Sequence, residues 1–348
     1  MKGRELPCFR AFVFVVVLSG ILSGFPTFAR GTHEVAREKR IGNGVTVEDR
    51  QDVIPLLEGV RLHEGEKLRI VATTSIVGDV VANVAGAAAD LTGLIGVGQD
   101  PHSYEPTPQA LAAVESAHIV FVNGFDLEET LLETIGNTAA GKIIPLSAGI
   151  EPRRFEGDEH SSRRQHGNDD PHVWMAPTNV MMWVKSAEHA LSAADPANSV
   201  TYATNASRYV EKLKALDTSI RRSVSTIPAG QRKLVTDHHL LGYFADEYGF
   251  RIVASLLPGT GAGASVSARR VAELVRLLRA EDVHVILVGN TAGRGLSSLA
   301  KAVASETGRE VEIVEMLTGS LAPRGQMGDT YLSYMEFNLS QIMKALSP

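Results

Sequence analysis

The 348-residue sequence holds one cysteine, Cys8, so it forms no internal disulfide. Cys8 lies in what reads as a removable leader. A mature chain without it has no thiolate to ligate a metal and no cysteine nucleophile. Aromatic residues make up 6% of the chain, too few for a base-stacking surface. The formal net charge is −6, and no basic block is long enough to track a nucleic-acid backbone. The complete ATPase phosphate loop, Gly-x-x-x-x-Gly-Lys followed by Ser or Thr, is absent. Gly259-Thr260-Gly261-Ala262-Gly263 lacks the dinucleotide spacing and follows Pro258, so it reads as a loop. No His-Glu-x-x-His helix occurs, since His33-Glu34 and His63-Glu64 both lack the second histidine.

What is present begins with a leader. Lys2, Arg4 and Arg10 precede an apolar run, Ala11 to Leu22, and Thr27 and Ala29 are placed like the small residues of a cleavage site. The run is short for a transmembrane helix. Residues 1–29 are therefore expected to be a signal peptide and the protein to be exported to the periplasm. No cysteine follows the apolar run, so no lipid anchor is expected there. Residues 30–66 read as an irregular extension.

From residue 67 strands and helices alternate. The expected strands of the first half are Leu68–Ala72, Leu91–Val97, His118–Val122 and Lys142–Leu146. Helices are expected from Ser75 to about Ala87, from Thr107-Pro108, over Asp126–Ile135 and over Pro177–Ala193. After Asp195-Pro196 the apolar spacing of Val200, Tyr202, Tyr209, Leu213, Leu216 and Ile220 predicts one helix of roughly 30 residues, about 45 Å long. Past Pro228 the alternation restarts, with strands at Lys233–Thr236, Arg251–Leu256, Val283–Val288 and Val311–Glu315. Helices are expected over His239–Tyr248, Ser267–Ala280, Gly295–Thr307 and Thr330–Leu346. The fold class is α/β, with two lobes of about four parallel strands each, flanked by helices and joined by a long rigid helix. The lobes are expected at 67–194 and 228–348, with 195–227 as the link.

Asp-Pro-His occurs twice, at Asp100-Pro101-His102 and Asp170-Pro171-His172, each followed two residues later by an aromatic residue, Tyr104 and Trp174. The proline fixes φ and removes a donor, so each histidine sits on a stiff turn. In open parallel sheets ligands bind beyond the carboxyl ends of the strands. His102, His172, His238 and Asp329 all follow strands, two from each lobe, and can converge if the lobes face each other. Three imidazoles and a carboxylate suit Zn²⁺ or another divalent first-row metal. Asp100 and Asp170 are candidates to anchor the turns or orient the rings. A secreted zinc hydrolase is the alternative of another class, but Glu105 is the only base near a ligand, and Pro106 makes it read as turn structure.

The chain resembles the zinc- and manganese-binding solute-binding proteins of bacterial ABC transporters, the cluster A-I family. The residues that carry this are Gln99-Asp-Pro-His-Ser-Tyr-Glu-Pro106, Val122-Asn-Gly124 with Leu127-Glu128, Asp170-Pro-His-Val-Trp174, Val235-Thr-Asp-His238 with Gly242-Tyr-Phe244, and Gly328-Asp-Thr-Tyr331. They stand in the family's order over about residues 67–346. The resemblance implies a metal cargo held by His102, His172, His238 and Asp329, and a partner permease in the membrane powered by a separate ATPase. It also implies no catalysis and no nucleic acid, and a monomer is expected. The spacing to Tyr243-Phe244 selects His238 over His239, which is expected to open the next helix. The His₃Asp set favours zinc, with manganese as the alternative. The loop with Glu156, Asp158, Glu159, His160 and His166 reads as a solvated loop rather than a metal trap. Gly289-Asn290 and the glycine-rich stretch before Ser267 depart from the family's usual pattern.

Overall fold

The computed structural model describes residues 59–136, 138–139, 141–154, 169–257, 267–291 and 294–346. The expected leader, most of the 30–66 extension, the loop with His160 and His166, and Gly259–Gly263 lie outside the described residues. Eight strands are described, all parallel to their neighbours: β1 Leu68–Ala72, β2 Ala89–Gly93, β3 Ile119–Val122, β4 Ile143–Pro145, β5 Lys233–Thr236, β6 Arg251–Ser255, β7 Val285–Gly289 and β8 Glu312–Met316. They form two four-stranded sheets, ordered β2-β1-β3-β4 and β6-β5-β7-β8. The two orders are the same, so each lobe has its chain reversal beside its first strand. A ligand crevice is expected at that reversal.

The helices are α1 Ser75–Ala85, α2 Pro108–Ser116, α3 Glu129–Ile135, α4 Pro177–Ala194, α5 Ser199–Val224, α6 Gly242–Tyr248, α7 Ala268–Ala280, α8 Arg294–Glu306 and α9 Tyr331–Leu346. Helix α5 is the predicted long helix, 26 residues in extent. One turn of 3-10 helix, Pro196–Asn198, precedes it.

Burial follows the sequence pattern. β3 is apolar at every position, Ile-Val-Phe-Val, and all four residues are buried, as a strand covered on both faces requires. The largest core runs through both lobes. It joins Leu68 and Ile70 of β1, Val77, Val80 and Val84 of α1, Trp183 of α4, Tyr209 and Leu213 of α5, Leu234 of β5 and Tyr334 of α9. Separate clusters cover the opposite sheet faces: α2 and α3 through Val114 and Leu131 on the first, α7 and α8 through Leu278 and Val303 on the second.

Several expected boundaries move, each for a local reason. Thr74, not Ser75, caps α1, its hydroxyl accepting from Val77 N at 3.1 Å. β2 starts and ends earlier than Leu91–Val97, because its ladder with β1 runs from Leu68↔Ala89 to Ala72↔Gly93. Gly96 N then turns onto the Gln99 side chain at 2.6 Å. Helix α3 begins at Glu129 rather than Asp126, because Phe125 and Asp126 both have positive φ, which a right-handed helix excludes. Helix α6 begins at Gly242, so His239 stands in the turn before it and does not open it.

Candidate metal centre

The repeated tripeptide makes the same turn twice. Asp100 Oδ1 accepts from His102 N at 3.1 Å, and Asp170 Oδ1 accepts from His172 N at 3.0 Å. The proline between them has no N–H, so the histidine N–H is the next donor available, and the aspartate closes an Asx-type turn around it. The second turn is tied further into the fold by Asn123 Nδ2, at the end of β3, which donates to Pro171 O at 2.9 Å.

His102, His172 and His238 converge. Each offers one ring nitrogen, and these three atoms lie within 4.8 Å of one another. His102 Nε2 and His172 Nε2 are 3.1 Å apart. The ring centroids of His172 stand 5.2 Å from those of both His102 and His238. Tetrahedral zinc with Zn–N bonds of about 2.05 Å needs nitrogens about 3.3 Å apart, so only a small closure separates this arrangement from a coordination shell.

Two of the rings are held from behind by carboxylates. Asp170 Oδ1 meets His172 Nδ1 at 2.8 Å, and Asp237 Oδ1 meets His238 Nδ1 at 2.8 Å. A proton on each Nδ1 directed at the carboxylate leaves Nε2 free as a ligand atom. Asp237 is itself fixed at the second lobe's chain reversal, its Oδ2 accepting from Gly289 N at 2.7 Å. The sequence pointed to Asp170 but not to Asp237. The available signal was its place immediately before His238, at the end of β5.

Charge is distributed unevenly over the cluster. Burial, with the neighbouring His172, pushes His102 down to about 3. Burial also holds His172 well below the ordinary imidazole value. At His238 burial lowers the value, but the charge and hydrogen bond of Asp237 outweigh it, and the net shift is upward. Asp170, fully enclosed, is raised to about 7 by burial, against the hydrogen bond from His172 and the charge of Arg153.

Asp329, the fourth predicted ligand, is not brought into this set. Its Oδ2 accepts from Gly325 N at 2.8 Å, in the segment between β8 and α9. The first part of that segment does reach the site. Trp174 Nε1 donates to Thr318 O at 3.3 Å and to Tyr334 Oη at 3.1 Å, while its ring meets His172 edge-on at 5.3 Å. Ser320 Oγ accepts from Gly98 N at 2.8 Å, across the two lobes. A Cβ at Gly319 would stand 3.0 Å from Pro101 Cδ, so glycine allows this close crossing beside His102.

Two facing α/β lobes with a largely enclosed histidine cluster at their junction define a substrate-binding protein that takes a metal ion. Comparison with known proteins agrees. Residues 70–345 match the family described as zinc-uptake complex component A, periplasmic, and the chain belongs to that family. The manganese ABC transporter substrate-binding lipoprotein PsaA of Streptococcus anginosus is 31% identical over 290 residues, covering 81% of this chain and 90% of that protein. The manganese-binding lipoprotein MntA of Halalkalibacterium halodurans is 31% identical over 285 residues, covering 82% and 90%. Among solved structures, the periplasmic zinc-binding protein TroA of Treponema pallidum superposes with a TM-score of 0.73 at 26% identity, covering 81% of this chain and all of that one. The Mn-bound periplasmic metal-binding protein of Candidatus Liberibacter asiaticus gives 0.70 at 28% identity, with the same coverage.

The chain is thus a metal ABC-transporter substrate-binding protein and not an enzyme, which sets aside the hydrolase alternative. The sequence relatives are lipoproteins by name, which lends no support to the expectation of a chain without a lipid anchor. Among the described residues, no helix is long and apolar enough to cross a membrane.

Proposed function

We propose that the protein works in the periplasm as a monomer, captures Zn²⁺ with His102, His172 and His238, and delivers it to the permease of an ABC transporter. The observation that carries this reading is the convergence of three ring nitrogens within 4.8 Å at the junction of the lobes. Imidazole suits zinc better than it suits manganese, which prefers carboxylate and water. The lobes are read as 67–194 and 228–348, with 195–227 between them. Asp329 joins the metal only if the segment after β8 shifts and releases its carboxylate from Gly325 N.

Manganese is the second reading, and the names of the sequence relatives favour it. Competition titration of metal-free protein separates the two. Zinc should bind one-to-one and tighter than manganese, and His238→Ala should lose most of that affinity. Asp329→Asn distinguishes the two forms of the site. Unchanged zinc affinity leaves three histidines as the protein's ligands, and a loss comparable to His238→Ala makes Asp329 the fourth.

A further inference from the structure

We infer that Arg153 is a positioning residue for metal capture: it fixes Asp170 behind His172 and ties that aspartate to the helix that follows His238. This rests on the three-histidine reading above.

The orientation of His172 depends on Asp170, and the structure shows how little holds the far side of that carboxylate. Asp170 Oδ1 is engaged twice, by His172 N and by His172 Nδ1. Asp170 Oδ2 is buried and makes no hydrogen bond among the described residues. The cation facing it is the Arg153 guanidinium, Nη1 at 3.9 Å. The Arg153 charge opposes a turn of this carboxylate, and such a turn would disturb the hydrogen bond to His172 Nδ1.

Arg153 is fixed in turn. Its carbonyl accepts from Asp170 N at 2.6 Å, so the two residues are joined through the backbone as well. Its N–H donates to Tyr243 Oη at 2.8 Å, and Tyr243 Oη donates to Asp170 O at 2.9 Å. Its Nε donates to Asp246 Oδ2 at 2.8 Å. Tyr243 and Asp246 both lie on α6, which starts four residues after His238. A Cβ on Gly242, the first residue of α6, would lie 2.6 Å from Asp170 Oδ2 and 2.7 Å from Arg153 Nη1. Glycine here lets the start of the helix close directly onto the ion pair. The run Asp246–Arg153–Asp170–His172 therefore leads from a solvent-exposed carboxylate to a ligand ring and joins both lobes on the way.

The test is the zinc dissociation rate, read by transfer to a fluorescent chelator, with the Tm of the metal-free protein measured alongside. Wild type, Arg153→Ala, Arg153→Lys and Asp246→Asn are compared. Losing the direct partner of a metal-ligating histidine costs about 10- to 100-fold in affinity, and Arg153 stands one residue further out, so Arg153→Ala should release zinc faster by up to about tenfold. Arg153→Lys should recover part of that loss by restoring charge without the fork, and Asp246→Asn should shift release in the same direction by less. The metal-free Tm of Arg153→Lys and Asp246→Asn should stay at the wild-type value, which a merely structural role would not allow. Zinc release unchanged in all three variants, or changed only in proportion to a fallen Tm, overturns the inference. Absence of stoichiometric zinc binding in the wild type would instead strike the proposed function itself.

Discussion

At the residue scale, the repeated Asp-Pro-His was readable because the same covalent constraint produces the same turn twice, and both turns end on a ligand candidate. His238 was readable from its place after a strand. Asp329 was also read from its place after a strand and from the resemblance, but nothing local in its sequence reports that Gly325 N occupies its carboxylate. Arg153 gave no signal either, because it works through tertiary contacts with α6. The uneven protonation of the cluster leads to a prediction. His102, near 3, and His172, well below its ordinary value, are already neutral at pH 6 and have no proton to lose to a metal. His238 is raised and Asp170 stands near 7, so both carry protons in the acid range. Affinity should therefore fall as pH drops below about 7, with up to two protons released per metal at pH 6 and fewer as the pH rises. Calorimetry in buffers of different ionisation enthalpy counts them. Three or more at pH 6 would mean that the buried rings are charged. Asp237→Asn, which removes the charge and leaves one acceptor oxygen for both His238 Nδ1 and Gly289 N, should weaken zinc binding about tenfold or more in the same titration.

At the element scale, the alternation of strands and helices was legible almost throughout, because parallel strands covered on both faces leave short apolar runs and capped helices leave Thr, Ser and Pro at their starts. Lys233–Thr236 stands as expected, and Thr107 caps α2, its hydroxyl accepting from Ala110 N at 3.2 Å. The errors fall at element ends, where a neighbouring strand or a local turn decides. β2 takes its register from β1, and α6 waits until Gly242 because the preceding turn is built by other bonds. Thr236 Oγ1 donates to His238 O at 2.7 Å, and Leu240 N donates to the same oxygen at 2.8 Å. The glycine at the start of α6 is testable. Gly242→Ala pushes a methyl into Asp170 and Arg153, so stability should fall by about 1–3 kcal/mol in urea unfolding, with weaker zinc binding. Wild-type stability in that variant would mean that the helix start moves away without cost.

At the scale of the whole molecule, the two-lobe plan was legible from sequence, but the continuity of the core was not. Helix periodicity shows that α5 has an apolar face and cannot show that both sheets share it. In the structure Leu213 of α5 belongs to the same core as Leu68 of the first sheet and Leu234 of the second. The metal-free protein should therefore melt in one calorimetric transition, and two separated transitions would show that the lobes fold independently. Leu213→Ala should cost about 2–5 kcal/mol and lower that single transition without splitting it. Capture of a metal between the lobes is tested most directly by competitive titration of metal-free protein with Zn²⁺ and Mn²⁺, beside His238→Ala. One zinc per chain, bound more tightly than manganese and lost in the variant, is the predicted result. A tight site that survives His238→Ala, or no tight site for either metal, would contradict it.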